Sequence, residues 1–131
     1  MSKPIPSMEQ WLREAKADPE ASSAGMYLFH NGVVRRTAKA QVRAGETGMP
    51  PVTGLVFSYD PEQVAAAEAE ARRLPGICYV RTWLNEGQLQ VGDDIMFVLV
   101  GGDIRPRVVD ALQFLVERIK TRCVTETEQY G

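Results

Sequence analysis

The chain has 131 residues, which at roughly 150 residues per domain makes one compact unit, spanning 1–131, with no room for a separate substrate domain. Hydrophobic residues make up 44%, enough for a single core, while 15 Lys plus Arg against 17 Asp plus Glu leave a formal net charge of -2. That balance excludes the broad basic face of a dedicated nucleic-acid binder, so any anion site has to be a local cluster.

The longest apolar run, Ile95 to Val100, is far short of the roughly 20 residues that span a bilayer. The N-terminus lacks the apolar centre of a signal peptide, so a cytosolic protein is expected. Cys78 and Cys123 lie in no CxxC pair and His30 is the only histidine. Zinc and disulfide frameworks therefore have too few ligands at useful spacing, and nothing argues for a carboxylate-bound metal, which the composition leaves open.

Ser7 stands three residues before Gln10, a capping box that opens a helix to about Ala17. Pro19 to Gly25 reads as a linker, so residues 1–25 form an N-terminal helix and linker. Met26 to Val34 is rich in strand formers and ends in Arg35-Arg36. The polar stretch over 37–51, with two glycines and a closing Pro50-Pro51 pair, reads as a mobile loop. Val52 to Tyr59 returns to strand, and Asp60-Pro61 supplies an N-cap and first-turn proline for an alanine-rich helix to about Arg73.

Ile77 to Leu84 is a third strand, Asn85 to Gln88 a turn around Gly87, and Gly92-Asp93 a second turn before a fourth strand at Asp94 to Val100. Pro106 starts the last helix, where Val108, Leu112, Leu115 and Ile119 recur at spacings of four, three and four, the period of a core-facing stripe. Asp110, Gln113, Glu117 and Lys120 form the opposite stripe. The glycine turns are too tight for parallel crossovers. The expected fold is α+β, a two-layer domain with a mixed or antiparallel sheet.

Three places can carry chemistry. In Gly101-Gly102-Asp103-Ile104-Arg105-Pro106-Arg107 a strand hands over directly to a helix N-terminus, where free N–H groups, the helix dipole and the Arg105 and Arg107 guanidinium groups all favour an anion. The alternative is a solvated corner. Arg35 and Arg36 form a second basic cluster before the long loop, or a strand end kept soluble by charge. Lys120 stands in the last helical turn, where complementing the dipole explains it without any catalytic role. His30, in an apolar strand with no triad partner, reads as a packed or edge-strand histidine. Cys78 reads as a buried thiol and Cys123 as an exposed one.

In order and spacing these signals resemble the large, catalytic subunit of molybdopterin synthase. Gly32-Val33-Val34-Arg35 ends the first strand and Tyr59 precedes the alanine-rich helix. Gly87-Gln88-Leu89 with Val91-Gly92-Asp93-Asp94-Ile95 is similar to that family's G-x-L-x-x-G-D turn and strand, and Arg105 through Ile119-Lys120-Thr121-Arg122 to its last core helix. The similarity covers about Met26 to Gln129.

The resemblance implies an α/β hammerhead domain that forms a homodimer and binds a small sulfur-carrier subunit with a C-terminal Gly-Gly thiocarboxylate. It implies sulfur transfer to cyclic pyranopterin monophosphate, giving molybdopterin, with no metal or nucleotide of the synthase's own. Lys120 matches the family's active-site lysine, and Arg35 and Arg105 match positions that handle the anionic substrate, with Arg36 and Arg107 beside them. Two positions depart from the family pattern. Ile104-Arg105 stands where the family has His-Arg, and Cys123-Val124-Thr125-Glu126-Thr127 replaces a proline, an aromatic pair and a second lysine, with Thr127 at the lysine's place. Glu126 and Glu128 make the local field less attractive to anions. The alternative is therefore a non-catalytic homologue that binds the carrier or a pterin phosphate, and, leaving the resemblance aside, an oligomeric domain with an anion pocket.

Overall fold

The computed structural model describes residues 3–37 and 50–130. Local signals fix where its helices begin. Ser7 Oγ accepts the Gln10 N–H at 3.1 Å and opens α1 (Met8–Lys16). Asp60 Oδ1 accepts the Glu62 N–H at 3.0 Å and, with Pro61 in the first turn, opens α2 (Pro61–Arg72). Pro106 lies in the first turn of α3 (Arg105–Arg122). A single 3-10 turn, Ala21–Ser23, interrupts the linker before the first strand.

Among the described residues six strands follow the order β1 (Met26–Val33), β2 (Val52–Tyr59), β3 (Ile77–Leu84), β4 (Gly87–Gln90), β5 (Asp94–Gly102) and β6 (Val124–Tyr130). They form two three-stranded antiparallel sheets, β1-β5-β3 and β4-β2-β6. The antiparallel α+β expectation holds, with two strands more than the four anticipated.

β4 occupies the segment read as a turn and its approach. Gly87 and Gly92, both at positive φ, bracket a strand that leaves β3, pairs with β2 instead, and returns to β5. No strand is expected over Val124–Tyr130, which alternates threonine with glutamate and shows no apolar face; the place of β6 comes from pairing along β2, from Tyr59↔Val124 to Val52↔Tyr130. The loop expected over 37–51 lies, from 38 to 49, outside the described residues.

The inner face of the first sheet, with Val80, Met96, Val98 and Val100, packs on α2 and α3. Ala67 and Ala71 let α2 approach closely, and Val108, Ala111, Leu115 and Ile119 of α3 are fully buried, with Leu112 at the edge of the stripe. Phe57 and Leu89 bring the second sheet into this same core. On the other face of β1-β5-β3, Trp11 and Ala15 of α1 cover Phe97 and Leu99. Trp11 meets the Phe97 ring edge-on at 6.1 Å, and Phe29 lies 5.3 Å from it, the offset geometry that aromatic quadrupoles favour. No helix among the described residues is long and apolar enough to cross a membrane.

Leu115→Ala removes a fully buried side chain from the seam between helix and sheet and is expected to cost about 2–5 kcal/mol. Urea unfolding at equilibrium checks this as a lower midpoint with an unchanged slope.

Candidate functional site

Where the two sheets meet, the chain leaves β1 and crosses toward β2, and a bulge shapes the exit. Gly32 pairs with Met96 but Val33 pairs with Asp94, so β5 advances two residues while β1 advances one and Ile95 is the extra residue. Bulges bend a strand and re-aim its side chains. Beyond it the backbone is tied down on both sides: Val34 N–H donates to Asp93 O at 3.0 Å, Gly92 N–H to Val34 O at 2.8 Å, and Val52 N–H to Arg36 O at 2.7 Å. Arg35 sits between these anchors.

This corner encloses a cleft of about 240 Å³. Arg35 from the β1 exit and Lys120 from the last turn of α3 line it together, with His30 from β1 and with Glu126 and Glu128 from β6. Ile95, Met96, Val52 and Leu55 supply its apolar walls. The volume lies just under the roughly 300 Å³ at which pockets for drug-sized ligands begin. It suits a narrow chain end or one anionic group held at depth.

The other expected site residues are elsewhere in the chain. Arg105 opens α3, fifteen residues before Lys120, so at 1.5 Å per residue about 22 Å of helix separates them. Within one chain the two do not share a pocket, so of the two arginines matched to substrate handling Arg35 alone lines the cleft with Lys120. Arg107 is engaged by Asp103, whose Oδ2 accepts from Arg107 Nη1 at 2.9 Å, while Asp103 Oδ1 accepts the Ile104 N–H at 2.7 Å. The anion expected at this helix start is the chain's own carboxylate. Arg36 is exposed and does not line the cleft.

The paired glycines have a packing reason. A Cβ at Gly101 would fall 2.6 Å from the Tyr27 ring, and one at Gly102 would fall 2.7 Å from the Gly76 carbonyl oxygen. Close strand contact, rather than a phosphate, demands them.

Sequence reasoning passed over two contributors to the cleft. In sequence His30 reads as a packed or edge-strand histidine; it stands on edge strand β1, half-buried, one pleat beyond Leu28, and also faces the cleft. The wall formed by β6 follows from the two-residue period of Thr125, Glu126, Thr127 and Glu128 once the strand is paired along β2. That period turns both glutamates inward, whereas Thr127, in register with exposed Val56, does not line the cleft. The thiols differ from expectation in opposite directions. Cys123 is buried where α3 turns into β6, its carbonyl accepting the Asp60 N–H at 2.8 Å, and Cys78 is only half-buried. Burial pushes both thiols up, away from the reactive thiolate.

An antiparallel α+β domain of hammerhead type, with a cationic pair in a cleft at the junction of its sheets, is the class that this geometry defines. Residues 4–122 match the family model described as MoaE protein, and the chain belongs to that family. Among solved structures it is similar to a molybdopterin synthase from Staphylococcus aureus, with TM-score 0.74, 21% identity, and coverage of 98% of this chain and 88% of that one. A molybdopterin biosynthesis MoaE protein from Burkholderia ambifaria gives TM-score 0.72 and 18% identity over 98% of this chain and 84% of that one. A complex of subunits 1 and 2 of molybdopterin-converting factor from Helicobacter pylori gives 0.67 and 14% over 94% and 75%. No curated protein matches in sequence.

Burial lowers the affinity of His30 for a proton, and the Lys120 charge lowers it further. A depressed imidazole favours the fold when neutral, so its contribution is complete above the ordinary value of about 6.5 and is lost as pH falls through the lower folded value. Urea midpoints between pH 7.5 and 5 are expected to fall less steeply for His30→Asn than for the parent chain.

Proposed function

We propose that this chain is the large subunit of a molybdopterin synthase, acting in molybdenum cofactor biosynthesis in the cytosol. Its partner is a small sulfur carrier with a C-terminal Gly-Gly thiocarboxylate, and its substrate is cyclic pyranopterin monophosphate. The observation that carries this reading is that Arg35 and Lys120, about 85 positions apart by their numbering (120 minus 35), line one narrow cleft in a chain of this family.

Each sulfur transferred exchanges an oxygen: the carrier's thiocarboxylic acid and a carbon-bound hydroxyl become a carboxylic acid and a carbon-bound thiol. No electrons are gained or lost. What the protein supplies is position and charge. A Gly-Gly tail has no side chains and fits a cleft of this width in extended form. In this reading Arg35 holds the phosphate and the Lys120 ammonium stabilises charge on the tail's carbonyl as the sulfur leaves it.

Arg105 belongs to the site only from a second copy, since its own Lys120 lies at the far end of the same helix. The proposed assembly is therefore a homodimer in which each chain brings Arg105 to the other's cleft. A second reading, binding without turnover, is favoured by Glu126 and Glu128, whose charges oppose the two cations.

Purified chain given thiocarboxylated carrier and cyclic pyranopterin monophosphate is expected to form the dithiolene product. Lys120→Ala should reduce the rate by about a hundredfold or more, and Arg35→Ala should act mainly on KM for the pterin. Carrier binding with no product from the native chain would favour the second reading, and equal product from Lys120→Ala would remove the lysine from the mechanism.

A further inference from the structure

Among the described residues the formal charges that line the cleft cancel, and one of its groups can tip the balance. Arg35 at the β1 exit and Lys120 on α3 contribute two formal positive charges, and Glu126 and Glu128 on β6 contribute two negative ones. The remaining walls, from β2 and β5, are Val52, Leu55, Ile95 and Met96 and bring no charge. With His30 neutral the described lining residues sum to zero formal charge, and with His30 protonated they sum to +1.

Among these groups imidazole alone has an ordinary pKa near neutrality. It is the only imidazole in the chain, and its Nε2 is turned toward Gly32, where a Cβ would lie 3.7 Å from it. Gly32 itself lines the cleft, so the ring nitrogen stands at the cleft surface and not inside the main core. The chain has no histidine at the start of α3, where exposed Ile104 stands instead.

We propose that His30 is a proton-coupled anion-binding residue: neutral in the empty cleft, and protonated from solvent when an oxyanion seats between Arg35 and Lys120. This rests on the cleft being the substrate site but not on turnover there. In the empty cleft, burial and the Lys120 charge both favour the neutral ring. An arriving anion reverses that field, raises the imidazole's proton affinity, and gains a charged N–H donor. Linkage makes the effect reciprocal, so protons strengthen anion binding as much as the anion strengthens proton binding. The anion is a phosphate group of a small molecule or the carboxylate of an extended chain end.

The test is the titration of the His30 imidazole by NMR, where a single histidine makes assignment direct. Sulfate serves as the phosphate probe because it stays fully ionised between pH 5.5 and 8, and N-acetyl-Gly-Gly serves as the chain-end probe. At least one of them is expected to raise the His30 midpoint by about one pH unit, and which one does so identifies the source of the anion. Its affinity should strengthen as pH falls, by about tenfold in all across the linked range, the factor that a one-unit shift fixes. That dependence should vanish in His30→Gln. Lys120→Met should raise the midpoint of the empty cleft. A midpoint that neither anion moves, or an unchanged pH dependence in His30→Gln, would overturn the proposal. The wild-type titration decides the matter even if a variant fails to fold. Absence of product in the synthase assay with this coupling intact would instead refute the sulfur-transfer reading alone.

Discussion

Burial of one face of α3 is the constraint on which the site depends. Val108, Ala111, Leu115 and Ile119 are fully enclosed between the helix and the sheets, which fixes both the rotation and the axial position of an 18-residue helix. Successive helical residues turn by about 100°, so anchoring Ile119 in the core carries Lys120 to its rim. There the helix ends, the chain reverses through buried Cys123, and β6 runs back along β2. The same packing therefore places the lysine and the acidic wall opposite it. The β1 exit supplies the third side, through a bulge at Ile95 and three backbone hydrogen bonds that hold Val34 and Arg36.

Legibility in the sequence follows the range of the interactions. Helix starts are written in a few adjacent residues, and Ser7, Asp60 and Pro106 mark them because capping is local chemistry. The α3 stripe is legible for the same reason, as a period within one element. β4 and β6 are not, because each is short or polar and is stabilised by β2, a neighbour distant in sequence from β6. Which charges meet is also a property of the assembled chain. Asp103 is visible beside Arg107 in the sequence, but that its carboxylate folds onto the start of α3 and fills the place expected of a ligand is a matter of side-chain direction. The separation of Arg105 from Lys120, in contrast, follows from helix length alone.

The cleft differs from a simple basic pocket. Two carboxylates offset two cations, and a half-buried imidazole shares the space. The family match ends at residue 122, just before β6, so Glu126 and Glu128 lie outside the part of the chain that the family model covers. In a site this narrow, walled by valine, leucine, isoleucine and methionine, the charged groups share one small space. Membership of the family and the chemistry of this particular cleft are thus separate matters, and the second is set by residues that came together only on folding.

A crystal structure of this chain bound to the proposed sulfur carrier tests the placement of the site. The carrier's Gly-Gly tail is expected to enter extended between β1 and β6, with its terminal carboxylate within hydrogen-bonding distance of Lys120 Nζ. A tail that ends elsewhere, such as at the Arg105 end of α3 of the same chain with the Lys120 cleft empty, would contradict it.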